Sequence, residues 1–158
     1  MDDHTEGYSV EKGRSTEGRR SIEIKEALAA AQEALESLRR VERCLRSAGN
    51  WGIWDLLGGG LISSFLKHSR LGDAEREMEQ AKYAVKNLQK ELGDITDIPD
   101  LHIQVGDFLK FADFFFDGLI ADWMVQSRIR ETQGQVKAAI AKVEQVIERL
   151  HTLSAAGA

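Results

Sequence analysis

The chain has 158 residues, 42% hydrophobic and 30% charged, with a net charge of −5 and a single Pro. This length fits one domain with a real core, and the composition favours helix over strand. The acidic balance argues against general nucleic-acid binding, and one cysteine, Cys44, leaves no partner for an internal disulfide and suits a reducing compartment.

Met1 to about Gly18 is polar, mixed in charge and rich in Gly, Ser and Thr, which predicts a flexible tail holding His4. It lacks the basic-then-apolar pattern of a signal peptide. The rest, 19–158, reads as a single helical domain. Over about 20–47, Ile24, Leu28, Ala31, Leu35, Leu38, Val41 and Leu45 recur three and four apart, the spacing of one helical face. Arg39, Arg40, Arg43 and Arg46 follow on this helix with Glu36 and Glu42 among them, a solvated face rather than a nucleic-acid patch. Gly49-Asn50 reads as its stop.

Residues 50–68 hold Trp51, Trp54 and the run Gly58-Gly59-Gly60 in an apolar stretch. This predicts a helix interrupted at 58–60. The glycines suit a close backbone contact better than a phosphate loop, since no strand precedes them and Lys67 is seven residues beyond. From 71 to 92, Leu71, Ala74, Met78, Ala81, Val85, Leu88 and Leu92 form an unbroken heptad seam, ended by Gly93-Asp94. Ile95 to Gly106 carries Pro99 and reads as a loop, with His102 facing solvent.

Asp107 can cap a last helix, 107–153, bent near Gly118 or Gly134 if it bends. Its first part, 107–125, is apolar on nearly every side, and its second narrows to Ile129, Gln133, Val136, Ile140, Val143, Ile147 and Leu150. The expected architecture is all-α: an elongated antiparallel helical bundle or coiled coil with a compact aromatic head. Segments 50–68 and 107–125 form that head, with Trp51, Trp54, Phe108, Phe111, Phe115 and Trp123 inside.

Asp55, Asp113, Asp117 and Asp122 are anomalous in so apolar a setting, because charges there must be paired or hydrated. With His68 they are the candidate ligand or divalent-metal site. The structural alternative, an Asp117 that pairs with His68, Lys67 or a buried amide and only fixes packing, is favoured. Glu148-Arg149-Leu150-His151 has the spacing of half a di-iron motif, but its three companion groups are absent from the pattern. No nucleophile elbow, zinc spacing, EF-hand or dinucleotide fingerprint occurs.

The segments W-D-L-L-G-G-G-L-I-S-S-F-L-K-H-S-R and F-F-F-D-G-L-I-A-D-W-M-V-Q-S-R-I resemble a group of uncharacterised bacterial all-helical proteins. Trp54, Asp55, Gly58 to Gly60, Lys67-His68-Ser69, Asp117, Asp122-Trp123 and Gln126-Ser127 carry the resemblance, across about residues 45–130. It implies a soluble bacterial helical protein and brings no activity or site residues.

The expected function is therefore non-enzymatic: interaction or scaffolding through coiled-coil packing, with a protein partner or a second copy. The alternative is a small-ligand or divalent-metal protein with its acidic/His site in the head. No cofactor is expected otherwise, nor nucleic acid. The sparse basic residues near the Trp segment argue against direct membrane attachment, and the setting is cytoplasmic.

Overall fold

The computed structural model describes the backbone of residues 6–55, 62–95, 106–108, 110–113, 115 and 129–156, and the side chains of 16–47, 73, 75–95, 106–108, 110–113, 115 and 130–156. Among these residues the protein is all-helical and builds a helical bundle. There are three long helices, α1 (Glu6–Asp55), α2 (Ile62–Asp94) and α3 (Ile129–Ala156), with further helical residues at 106–108, 110–113 and 115 between α2 and α3 in the chain.

α1 is the element on which both other long helices pack. Its neighbours run antiparallel to it. Arg40 of α1 meets Glu77 of α2, and further down the pair Glu26 lines the same cleft as Asp94. On the other side Gln133 Nε2 donates to the Leu45 carbonyl at 3.1 Å, and Arg39 meets Glu144 at 2.9 Å. Chain numbers that rise on α1 while they fall on α2 and α3 define the antiparallel register.

The core is one cluster. α1 contributes Ile24, Ala27, Ala31, Ala34, Leu38, Val41 and Leu45, all buried and spaced three and four apart. Ala30 and Ser37 are buried beside that row, and Leu28 and Leu35 are only partly covered. The face is wider than one seam because α1 has a helix on either side. α2 contributes Met78, Ala81, Ala84, Val85, Leu88 and Leu92, so the heptad seam expected there is spent inside the chain. The register set by Arg40 and Glu77 brings Ala34 opposite the turn between Ala81 and Ala84. Small side chains at that height let the two backbones approach closely.

α3 turns out rotated from its expected orientation. Its buried row is Thr132, Val136, Ala139, Val143, Val146 and Leu150, again alternating four and three. Val136, Val143 and Leu150 are common to both versions. Ile140 and Ile147 flank the core half-covered, and the smaller Ala139 and Val146 point inward in their place. Side-chain size alone ranks isoleucine above alanine, whereas α3 buries a stripe over 100° wide, and the bundle decides where its centre lies.

Several boundaries also differ from expectation. The predicted tail at 1–18 is helical from Glu6 onward, since adding a residue to an existing helix needs no new nucleus. α1 passes through Gly49-Asn50 to Asp55, one Gly costing only about 1 kcal/mol against Ala in a helix interior. The segment 50–68 is therefore no element of its own: its start completes α1 and its end begins α2. The interruption at Gly58, Gly59 and Gly60 lies outside the described residues. α2 ends at Asp94 as Gly93-Asp94 implied, and Ile95 N–H closes a turn on the Leu92 carbonyl at 3.3 Å.

A continuous rod over 107–153 is excluded. Phe111 and Lys142 would lie ~46 Å apart along one helix, yet Lys142 Nζ sits 5.0 Å from the Phe111 ring centroid. The stretch around Phe111 and the middle of α3 therefore lie side by side. Position 118 lies outside the described residues. Helix α3 runs without interruption through Gly134, where an added Cβ meets nothing within 4 Å, so Gly134 is not a crossing point.

Phe108, Phe115 and Ala112 are buried in the same cluster as Leu38, Leu88 and Val143, and Phe111 stacks on Phe115 with centroids 5.6 Å apart. These are the Phe residues of the expected aromatic head. They belong to the bundle core, because bundle helices bury their apolar faces against one another along their length. Trp123 and the side chains of Trp51 and Trp54 lie outside the described residues.

Candidate functional site

Among the described residues, a polar groove runs where α1 and α2 meet on the outside of the bundle. Its upper part is a cleft of about 370 Å³ lined by Glu33, Ser37, Arg40, Gln80, Tyr83, Ala84 and Asn87. Its lower part, about 410 Å³, is lined by Glu26, Ala29, Ala30, Glu33, Asn87, Lys90, Glu91 and Asp94. Glu33 and Asn87 belong to both, so the two are one continuous groove. Its floor is made of small residues for the same reason the helices approach closely: Ala30, Ser37 and Ala84 leave a trough where longer side chains would fill it.

Arg40 anchors the upper part. Its Nε donates to Glu77 Oε2 at 3.0 Å, its Nη2 donates to Ser37 Oγ at 2.8 Å, and its Nη1 lies 3.2 Å from Glu36 Oε1. One guanidinium thus satisfies the buried Ser37 and ties α1 to α2, which its planar fork of donors allows. Two other members of the arginine cluster behave similarly: Arg39 reaches Glu144 on α3, and Arg46 pairs with Glu42 at 3.2 Å one turn away. These cations neutralise carboxylates on their own and neighbouring helices, as the interleaved Glu36 and Glu42 suggested.

The lower part is acidic. Glu26, Glu33, Glu91 and Asp94 face Lys90, whose Nζ donates to Glu91 Oε1 at 3.2 Å. That bond and the surrounding carboxylates hold the Lys90 ammonium above its usual range. Tyr83 stands at the groove edge, 71% exposed. Cys44 lies half-covered on α1. Burial first, then Glu77 and Asp73, push its thiol above the usual range, against a smaller opposing effect of Arg43. A thiol raised in this way is a poor nucleophile at neutral pH.

The residues singled out from sequence are not gathered by the described part of the molecule. Asp113 is exposed on the helical stretch whose Ala112 and Phe115 are buried, so water hydrates its charge. Asp55 is the last residue of α1 and His68 sits in the first turns of α2, while their side chains lie outside the described residues. Asp117 and Asp122 also lie outside them. Glu148 and His151 are both exposed, pointing away from the core that a di-iron site would need. Among the described residues no group of three or more His, Cys, Asp or Glu is placed to hold a metal ion, and no helix is long and apolar enough to cross a membrane.

Sequence reasoning missed the groove and its flank. The α1 side is legible as a second row, Ser15, Arg19, Ile22, Glu26, Ala29 and Glu33, which repeats the four-and-three spacing on another side of the helix, whereas the α2 side joins it only through packing. The polar members of that row mask its periodicity. Ile22 in this row is 57% exposed, and every residue from Thr16 to Ile22 is exposed. In comparisons with known proteins, no family model, curated protein or solved structure matches the chain.

Proposed function

We propose that this protein is a non-enzymatic helical interaction module that acts by coiled-coil packing of the outer face of α1 against a partner helix. One observation carries the reading. α1 is helical from Glu6, and among its described side chains Thr16 to Ile22 stand exposed and the first buried one is Ile24. Gly7, Gly13 and Gly18 lower the helix preference of this end of α1. A partner helix would cover the exposed residues 16–22.

The described parts of the seams expected to make this contact, 78–92 and 136–150, are occupied within the bundle, so the contact falls to the second row on α1. A photo-crosslinking residue at position 22, introduced in living cells, tests the reading. A control at position 148, exposed on α3, reports nonspecific capture. A discrete protein adduct from 22 and none from 148 is the expected result. No adduct at 22, or the same smear from both sites, would sink it.

A further inference from the structure

We propose that the partner of the exposed α1 stretch is a second copy of this chain, whose own α1 stretch lies antiparallel in the groove between α1 and α2. This rests on the interaction reading above and names its partner.

The charge order along α1 is self-complementary. Lys12, Arg19, Glu26 and Glu33 are spaced by seven, so they fall in one row with two cations followed by two carboxylates. Arg19 and Glu26 lie ~10 Å apart along the axis, too far to pair within one chain. When two α1 helices cross antiparallel about Ile22, Arg19 of each meets Glu26 of the other, and position 12 falls opposite position 33 in the same register. Ile22 then meets its own copy at the two-fold axis, and Ser15 falls opposite Ala29, both small enough for close approach. An isologous contact of this kind closes on itself and leaves no free end.

The groove accepts the stretch in length and charge. From Glu26 to Arg40 it runs ~22 Å, and Glu6 to Ser21 as helix measures ~24 Å. The lower groove presents Glu26, Glu33, Glu91 and Asp94 against Lys90 alone, and Lys90 is already engaged by Glu91. It therefore favours the cationic part of the stretch, Lys12 to Arg20. One helical face ~24 Å long and ~10 Å wide covers on the order of 250 Å². Each chain gives one stretch and one groove, roughly 500 Å² per chain and about 1,000 Å² in all, the lower end of specific interfaces.

The test uses the purified full-length chain. Sedimentation velocity across micromolar concentrations should show a dimer that weakens with added salt, as exposed ion pairs do. Arg19→Glu and Glu26→Arg should each loosen it roughly tenfold, since each substitution reverses two symmetry-related pairs. The double variant should restore it, and circular dichroism should report unchanged helix in all three. Ile22→Cys in a Cys44→Ser background should oxidise to a disulfide-linked dimer. A monomeric chain, a dimer indifferent to Arg19→Glu and Glu26→Arg, or a double variant that fails to recover overturns the proposal. If the purified chain is monomeric while position 22 crosslinks to a different protein in cells, this proposal falls and the interaction reading stands.

Discussion

Arg40 shows how one side chain can set register. It joins Glu77, Ser37 and Glu36 at once, at only 32% side-chain exposure against 25% for Glu77. The Arg39–Glu144 pair is similar in distance, but both partners are about half exposed. Screening by water separates the two. A double-mutant cycle on Arg40 and Glu77 should give about 1 kcal/mol of coupling, and one on Arg39 and Glu144 a few tenths at most. Denaturant melts of the four variants in each cycle measure the difference, and equal couplings would contradict it. Cys44 makes a second prediction. The folded state holds the thiol proton more tightly than the unfolded chain does. Its contribution is full below the unfolded value of about 8.5 and declines as pH rises through the folded value. Cys44→Ala should flatten the alkaline loss of stability, read as melting temperature against pH between neutral and alkaline buffers. An unchanged slope would reject the assignment.

At the scale of the element, the inward row of α3 can be checked by truncation. Val143 is fully buried and shared by both versions of the stripe, while Ala139 faces inward where Ile140 was expected. Ala139→Leu should cost about 1–3 kcal/mol by overpacking. Ile140→Ala should cost less than the 2–5 kcal/mol of a core isoleucine, because its side chain is only partly covered. If chemical denaturation ranks the two the other way, α3 is rotated back to the sequence-based face. Gly134 offers a simpler check. It sits in continuous helix with open space beyond its Cα, so Gly134→Ala should stabilise the protein by about 0.5–1 kcal/mol. A destabilised variant in a thermal melt would mean that something packs there after all.

For the whole molecule, the bundle and the exposed stretch of α1 separate energetically. The core cluster begins at Ile24 and does not draw on residues 16–21. A chain starting at Ile22 should keep a cooperative unfolding transition of similar steepness, since it exposes nearly the same apolar surface on unfolding. Its melting temperature should be independent of protein concentration, whereas that of the full chain should rise with concentration, as mass action requires for a dimer. Calorimetry at two concentrations of each chain measures this. Loss of cooperativity on truncation would show that the stretch belongs to the core.

The all-helical class was legible in the sequence because it rests on local chemistry. One proline, abundant strong helix formers and unbroken three-and-four spacing along 24–45, 78–92 and 136–150 each bias the backbone without help from distant residues. The end of α2 at Asp94 belongs to the same level. The tertiary structure decided what depends on neighbours. Whether Ala139 or Ile140 points inward is set by where α1 lies. Whether Gly49 stops a helix depends on what continues beyond it. The burial of Phe108 and Phe115 in one cluster with α1, α2 and α3 rests on contacts that no local pattern marks. The acidic groove is a property of two helices together: Glu26, Glu33, Glu91 and Asp94 are unremarkable surface charges on their own helices, and antiparallel packing makes them one face.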